Sequence, residues 1–463
     1  MSAPLIWIVF PLLAATILWF VNRQQQLVFW VGAAICLVLA VLAQHLPVGR
    51  ETLLASMRLE ISPFLFFFGR RFILDASRQP YLVLLYGFAA VWFMGGQLAG
   101  AHRYFVPIGL SIIALLVAAL AVEPFLYGAL LIQIAVLISI PMLTPPGQAP
   151  GQGVLRYIIF QTLAIPFILF AGWAAAGVEA NPADQRMLSQ ALLLLGLGFA
   201  FWLAIFPFYH WVPLLAEKSN SYAAGFILSL ILVVILLLML HFMENYTWLR
   251  DYRNLQPVLR WIGLLMVVTG GIWAAFQQDL RRLFGYAVII ENGFSLLALS
   301  LGSRAGLEIY VASLLPRLVT LWLLAYSLTL LAKNAPADFS GIAGLFYRYP
   351  FISSALIVAL LSLSGLPLLA GYPLREALII HLGQRSLAAA IWLLAGSAGF
   401  IFCVLRAFSV MLTAQEMKWT IQEGWLNRVF LSLGIAVLFL LGLLPRSFLT
   451  AMINLLQAFG RLY

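Results

Sequence analysis

The sequence predicts an all-α, polytopic membrane protein of about 14 transmembrane helices, and three observations carry that reading. Of 463 residues, 64% are hydrophobic and 9% are charged, against roughly 25% charged in an average soluble domain. Apolar runs near the length needed to cross the hydrocarbon, about 20 residues, follow one another through short polar links. Two of these runs are interrupted in the same way, by FWLAIFPFYHWVPLLAEKSNSYAAG (201–225) and LSLSGLPLLAGYPLRE (361–376). A proline removes a backbone donor and opens the helical ladder. At bilayer depth, freed backbone groups persist only against protein or a water-filled cavity. Pro207, Pro213, Gly365, Pro367 and Pro373 therefore mark two broken helices, the usual setting of ion sites in transporters.

The apolar runs cover residues 4–21, 27–44, 81–96, 104–122, 124–142, 155–176, 188–206, 223–243, 257–276, 284–302, 307–331, 351–369, 386–412 and 429–444. The first lacks a basic leading segment and a small-residue cleavage site, so it reads as a membrane helix and not as a removable signal. The link 47–79 is amphiphilic, and MRLEISPFLFFF within it alternates as an extra-membrane hairpin does. The Pro/Gly-rich TPPGQAPGQG (144–153) reads as a flexible loop. The tail RSFLTAMINLLQAFGRLY has apolar residues at helical spacing and reads as an interfacial amphipathic helix. Loop cations divide almost evenly between the two sides, about ten against eight, leaning only slightly towards termini outside. Runs four to eight end with a broken helix and then an intact one, and runs nine to thirteen do the same. An odd helix count per repeat inverts the second in the membrane, as in secondary transporters. The expected division is 1–100 for the first three helices and hairpin, 101–245 and 246–415 for two repeats, and 416–463 for the last helix and tail.

The net charge of +10, from 26 Lys+Arg and 16 Asp+Glu, reads as loop and helix-end cations facing lipid head groups. No clustered basic, aromatic-bearing face suggests nucleic-acid binding. Cys36 and Cys403 lie in apolar runs without metal-ligand spacing. No CxxC, haem-attachment or Gly-rich dinucleotide motif occurs. The expectation is thus no cofactor, no metal and no catalytic residue in this chain, with lipid and other membrane proteins as its partners.

Three stretches carry a family resemblance. DLRRLFGYAVIIENGFSLLALSLG (279–302), GFAFWLAIFPFYHWVPLLAEKSNS (198–221) and LSLSGLPLLAGYPLREALI (361–379) resemble motifs of the antiporter-like membrane subunits of proton-pumping NADH:quinone oxidoreductase (respiratory complex I), a family shared with multisubunit cation/proton antiporters. The order and spacing match over nearly the whole chain, and the length suits the shorter M or N subunits. The resemblance implies a bacterial inner-membrane subunit of a multisubunit assembly that takes part in proton or cation translocation. Any electron transfer then belongs to partner subunits.

The charged residues depart from that pattern. The family's buried Glu on the fifth helix falls on Gln133, its seventh-helix Lys on Trp202, and its eighth-helix Lys near Val233. Gln133 cannot change charge and Trp202 only donates. Charge persists in the second half. Glu291 lies nine residues past Arg282, about 13 Å along a helix axis and so near mid-membrane. It stands where the family has His or Gln. Arg317 matches the eleventh-helix Lys, with Leu314 in place of its His; Arg375 matches the broken twelfth-helix Lys, followed by Glu376; Arg406 matches a thirteenth-helix Arg.

Each residue also has a plainer reading. An ionisable residue inside a membrane span is costly and functional by default, so Glu291 is a proton-carrying carboxylate or half of a structural ion pair. Arg317 and Arg375 are poor proton carriers because guanidinium stays charged; they read as counter-charges, with interfacial snorkelling open for Arg375. His210 either shuttles a proton or caps the broken helix. His241, Glu244 and His381 read as interface residues, and Glu217, Lys218 and Glu123 as helix-end charges. Two alternatives to a pump subunit remain: a structural scaffold that has lost transport, and a stand-alone secondary carrier.

Overall fold

In a computed structural model, the described residues are 2–49, 51–54, 57–144, 147, 149–181, 184–413 and 419–462. The loop 144–153 and the link into 416–463 fall partly outside them. The N-terminal apolar helix opens with one π-turn, Leu5–Val9, and continues as α1 (Phe10–Phe20); α2 (Gln25–His45) follows. The 47–79 link forms two antiparallel hairpins instead of one: β1 (Glu51–Leu54) with β2 (Met57–Glu60), and β3 (Phe64–Phe67) with β4 (Arg70–Ile73). MRLEISPFLFFF thus supplies one strand to each, because Ser62–Pro63 interrupts the ladder. β4 pairs again with β5 (Val122–Glu123), which fastens the hairpin to the end of a later helix.

The helical body follows as α3 (Gln79–Ala99), α4 (Phe105–Ala121), α5 (Gly128–Ile138), α6 (Ile140–Leu143), α7 (Gln152–Ala180), α8 (Gln185–Trp202), α9 (Trp211–Lys218), α10 (Ser221–Asn245) and α11 (Thr247–Arg250). Then come α12 (Leu255–Ala275), α13 (Leu280–Leu299), α14 (Arg304–Ala332), α15 (Leu345–Arg348), α16 (Pro350–Ser364), α17 (Tyr372–Arg385), α18 (Leu387–Leu412), α19 (Trp425–Leu443) and α20 (Arg446–Ile453). Among the described residues ten helices are long and apolar enough to cross a membrane, and three shorter apolar helices, Leu5–Phe20, Phe105–Ala121 and Pro350–Ser364, accompany them. Every predicted run contains helix, but length alone supports fewer than fourteen crossings. The chain is an integral, multi-pass membrane protein.

Burial explains which helices are central. α10 is almost wholly apolar and buried from Ser221 to Phe242, and α13 and α14 are nearly so, whereas α19 and α2 turn more of their surface outward. A helix without a polar face belongs in a core. The pairings recur in the two halves. α4 packs on α5 and α10, and α7 on α5, α8 and α9; α12 packs on α13 and α18, and α14 on α13, α16 and α17.

The first break opens before its proline, and the second opens at Gly365 as the sequence suggests. α8 stops at Trp202, Ala204 turns to φ +58°, and Pro207 lies in the break before α9. α16 stops at Gly365 with φ +75°; the Leu366 N–H reaches the Leu361 carbonyl (3.1 Å) and the Gly365 N–H that of Ser362 (3.0 Å). That is a left-handed glycine stop closing the last carbonyls. Pro367 lies in this break. Pro213 and Pro373 instead occupy the first turns of α9 and α17, where a helix needs no N–H donor.

Two sequence expectations are corrected. The C-terminal tail does not lie on lipid: Leu455, Leu456 and Phe459 are buried, and the Tyr81 hydroxyl donates to the Leu455 carbonyl (3.0 Å). His241 is no interface residue; it is 2% exposed and stacks on Phe125 at 4.9 Å. In both cases the apolar tail covers what an isolated helix end would expose.

α12 and α18 approach through glycines. A Cβ on Gly271 would sit 1.8 Å from the Gly396 carbonyl oxygen, and one on Gly399 2.5 Å from that of Gly271. Small residues let membrane helices pack backbone to backbone. Gly271→Val should push the helices apart at about 1–3 kcal/mol, read as a lower thermal midpoint in detergent. Gly177→Ala, whose Cβ would meet only the Met187 sulfur at 3.5 Å, should leave the midpoint unchanged.

Candidate functional site

The site is built on α13. Asp279 caps its N-terminus by accepting from the Arg281 N–H at 2.7 Å, a capping role that suits a carboxylate. Three turns on, Glu291, Asn292 and Ser295 place three polar groups within a buried span. Glu291 forms an ion pair with Arg375, and the two side chains are only 12% and 11% exposed. Arg375 enters from the first turn of α17, just beyond the second break. Its guanidinium also lies over the Phe294 ring, 3.9 Å from the centroid, a cation–π contact strengthened by desolvation. The glycine stop makes room for it, since a Cβ on Gly365 would come 2.6 Å from Arg375 Cδ.

Arg317 is the second cation. It is 2% exposed on α14. Its Nη1 donates to Ser295 Oγ at 3.1 Å and its Nη2 to Asn292 Oδ1 at 2.5 Å; its Nε has no partner. Asn292 in turn donates from Nδ2 to the carbonyl of Leu203 at 3.2 Å, the residue just past the end of α8 at the first break. One side chain thus links the cation of the second half to the freed backbone of the first. Pro316, inside α14, removes the donor that Ala312 would accept from. A small cavity of about 40 Å³ opens here, lined by Glu291, Ser295, Arg317, Thr320, Ser362 and Arg375 among others, room for a few waters beside these polar groups.

Chemically, the cluster holds one carboxylate against two guanidiniums. Guanidinium does not give up its proton, so Glu291 is the group that can exchange one.

The other predicted residues do not join this cluster. Glu376 is exposed on the far side of the α17 turn, and His210 is exposed and stacked on Tyr209 at 4.3 Å. No His210 hydrogen bond caps the broken helix among the described residues. Arg406 donates to the Gln277 carbonyl and covers the Phe339 ring at 4.6 Å, tying α18 to the α12–α13 link. Arg375 is a buried counter-charge and does not snorkel.

The first half is neutral where the family motif has charge. Gln133 donates to Thr162 Oγ1 at 2.7 Å. Trp202 Nε1 donates to the Gln161 carbonyl and Gln161 Nε2 to the Trp202 carbonyl, each at 3.3 Å. Val233 is fully buried. Gln161, Asn292 and Ser295 were missed from sequence; their signal was a polar side chain in an otherwise apolar stretch. Glu423, 7% exposed, was missed too. It accepts from the Phe351 and Ile352 N–H groups (2.8 and 3.2 Å) and so caps α16. Among the described residues no group of three His, Cys, Asp or Glu gathers as a metal site.

Residues 174–403 match the family described as NADH:quinone oxidoreductase/Mrp antiporter, TM. This stretch carries the antiporter-like domain of that family. The matched span contains both breaks, Glu291, Arg317 and Arg375, and stops short of Arg406. NADH-quinone oxidoreductase subunit N of Chromohalobacter salexigens is 31% identical over 285 residues, covering 56% of this chain and 57% of that one. The match therefore spans little more than half of that relative. A chain of the Mrp complex from Dietzia sp. superposes with TM-score 0.83 at 17% identity, covering 99% of this chain and 97% of that one. A chain of respiratory complex I from Thermus thermophilus with bound aureothin gives TM-score 0.75 at 21% identity, covering 97% and 99%. At such identities these two likenesses establish the antiporter-like fold.

Breaking a buried pair by removing one partner costs about 3–5 kcal/mol, because the other charge is left uncompensated. Arg375→Gln should therefore destabilise the protein strongly, and adding Glu291→Gln should restore most of the loss. Thermal midpoints of the two single variants and the double variant check this coupling; additive losses would show that the pair is not energetically linked.

Proposed function

We propose that this chain is a membrane subunit of a quinone-oxidoreductase- or Mrp-related assembly in a bacterial inner membrane, and that it takes part in proton translocation through its second half. Residues 101–245 and 246–415 act as the two repeats, and other membrane subunits are its partners. The observation that carries the reading is the Glu291–Arg375 ion pair beside a cavity at the second break. A proton arriving through the cavity adds to the Glu291 carboxylate when α17 draws Arg375 away. The return of Arg375 favours the ionised form and expels the proton. Both arms of α16–α17 are short and joined through Gly365 and Leu368 at positive φ, which gives the motion a hinge. Arg317, held by Asn292 and Ser295, keeps a fixed positive charge beside the path.

A scaffold without transport is the second reading, favoured by one observation. The family's seventh-helix lysine position is filled by Trp202, closed in a reciprocal bond pair with Gln161, which no proton crosses by titration.

Glu291→Gln keeps shape and removes titration, so it separates the two. Proton uptake is measured with the assembled complex in vesicles, alongside Gln133→Ala. The pump reading expects uptake to fall at least tenfold for Glu291→Gln, with assembly intact and Gln133→Ala near wild type. Unaltered uptake in Glu291→Gln would leave the scaffold reading standing.

A further inference from the structure

An apolar cleft of about 420 Å³ lies between α8, the end of α10 and α12, within the range of ligand-cavity sizes, about 300–1,000 Å³. Leu192, Phe199, Met239, Met243, Leu259 and Ile262 form its walls. Leu193 (61% exposed) and Val258 (45% exposed) stand at its outer edge. Gly196 also lines it, and a Cβ there would meet no heavy atom within 4 Å. Unbranched methionines adapt to an irregular apolar guest.

Tyr252 lines both this cleft and a second, polar cavity that holds Glu179, Trp248, Asp251 and Arg253. Asp251 is engaged by Arg250 at 3.4 Å. Glu179 and Arg253 form no ion pair among the described residues. Trp248 Nε1 has no hydrogen-bond partner. Tyr and Trp at this place match the belt where a membrane span meets water. The joined cavities therefore offer an apolar slot with one free anion and one free cation at its polar end.

We propose that the cleft holds an acyl chain of a zwitterionic phospholipid, with the head-group ammonium at Glu179 and the phosphate at Arg253. A partner helix would fill the apolar slot equally well, but it would not require opposite, unpaired charges at one end. Arginine suits the phosphate because its planar fork presents paired donors. This site depends neither on the Glu291–Arg375 pair nor on the transport reading.

The test titrates the detergent-purified complex with phosphatidylethanolamine and with phosphatidylglycerol and counts bound lipid by native mass spectrometry. Wild type should retain the ethanolamine lipid preferentially. Gly196→Phe should lower that retention at least tenfold at an unchanged thermal midpoint, and Glu179→Gln with Arg253→Gln should abolish the preference. Equal retention of both lipids, or no loss in Gly196→Phe, overturns the proposal. A photoreactive group on the acyl tail of phosphatidylethanolamine gives a readout on the unaltered chain: labelling should fall on 189–205 or 239–262. Labelling confined to other helices, or a photoreactive residue at 193 that captures a polypeptide instead of lipid, overturns it as well.

Discussion

A carboxylate and a guanidinium held together inside a membrane span set the terms for the second half of this protein. Taking either charge out of water costs several kcal/mol, so Glu291 and Arg375 are stable there only as a pair with further contacts. Three features meet that demand. α13 carries Glu291 into its buried middle, the second break turns the chain so that α17 brings Arg375 to it, and Phe294 offers its ring face to the guanidinium. Gly365 serves twice, as the left-handed stop of α16 and as the space that Arg375 Cδ occupies.

Freed backbone is the second constraint, and the two breaks meet it differently. The second closes on itself through the glycine stop. The first leaves the Leu203 carbonyl to be satisfied by Asn292 from α13. Because Asn292 also accepts from Arg317, the first break and the second-half cation share one side chain. The two are joined by hydrogen bonds through the neutral Asn292 amide. This asymmetry fits a first half whose polar groups, the half-buried Gln133 and the buried Gln161 and Trp202, can exchange hydrogen bonds but not charge.

Packing follows the same division of labour. Almost wholly apolar helices, α10 above all, fill the centre, and glycine contacts between α12 and α18 bring backbones close where side chains would hold them apart. The amphipathic tail closes over Tyr81 and His241, so a titratable ring that stands near a helix end in sequence is sealed off from water.

Much of this was legible in the sequence because it rests on local rules. Hydrocarbon thickness dictates the length of apolar runs, proline and glycine interrupt them where the ladder must open, and an isolated Glu or Arg in such a run announces its own cost. The two breaks followed from these rules; the neutral first half came from the family resemblance, and the pairing of Glu291 with an arginine stood as one of two readings. Other features depended on which helices lie side by side. Arg375 and Arg317 were equivalent candidates on paper; packing gave the carboxylate to Arg375 and the neutral oxygens of Asn292 and Ser295 to Arg317. Glu376, adjacent to Arg375, turned outward, and His210 and Arg406 settled away from the cluster. Side-chain direction over one turn, and contact between residues as distant in sequence as Leu203 and Asn292, arise only when the helices pack, since the free energy of each contact belongs to the pair of helices and to neither alone.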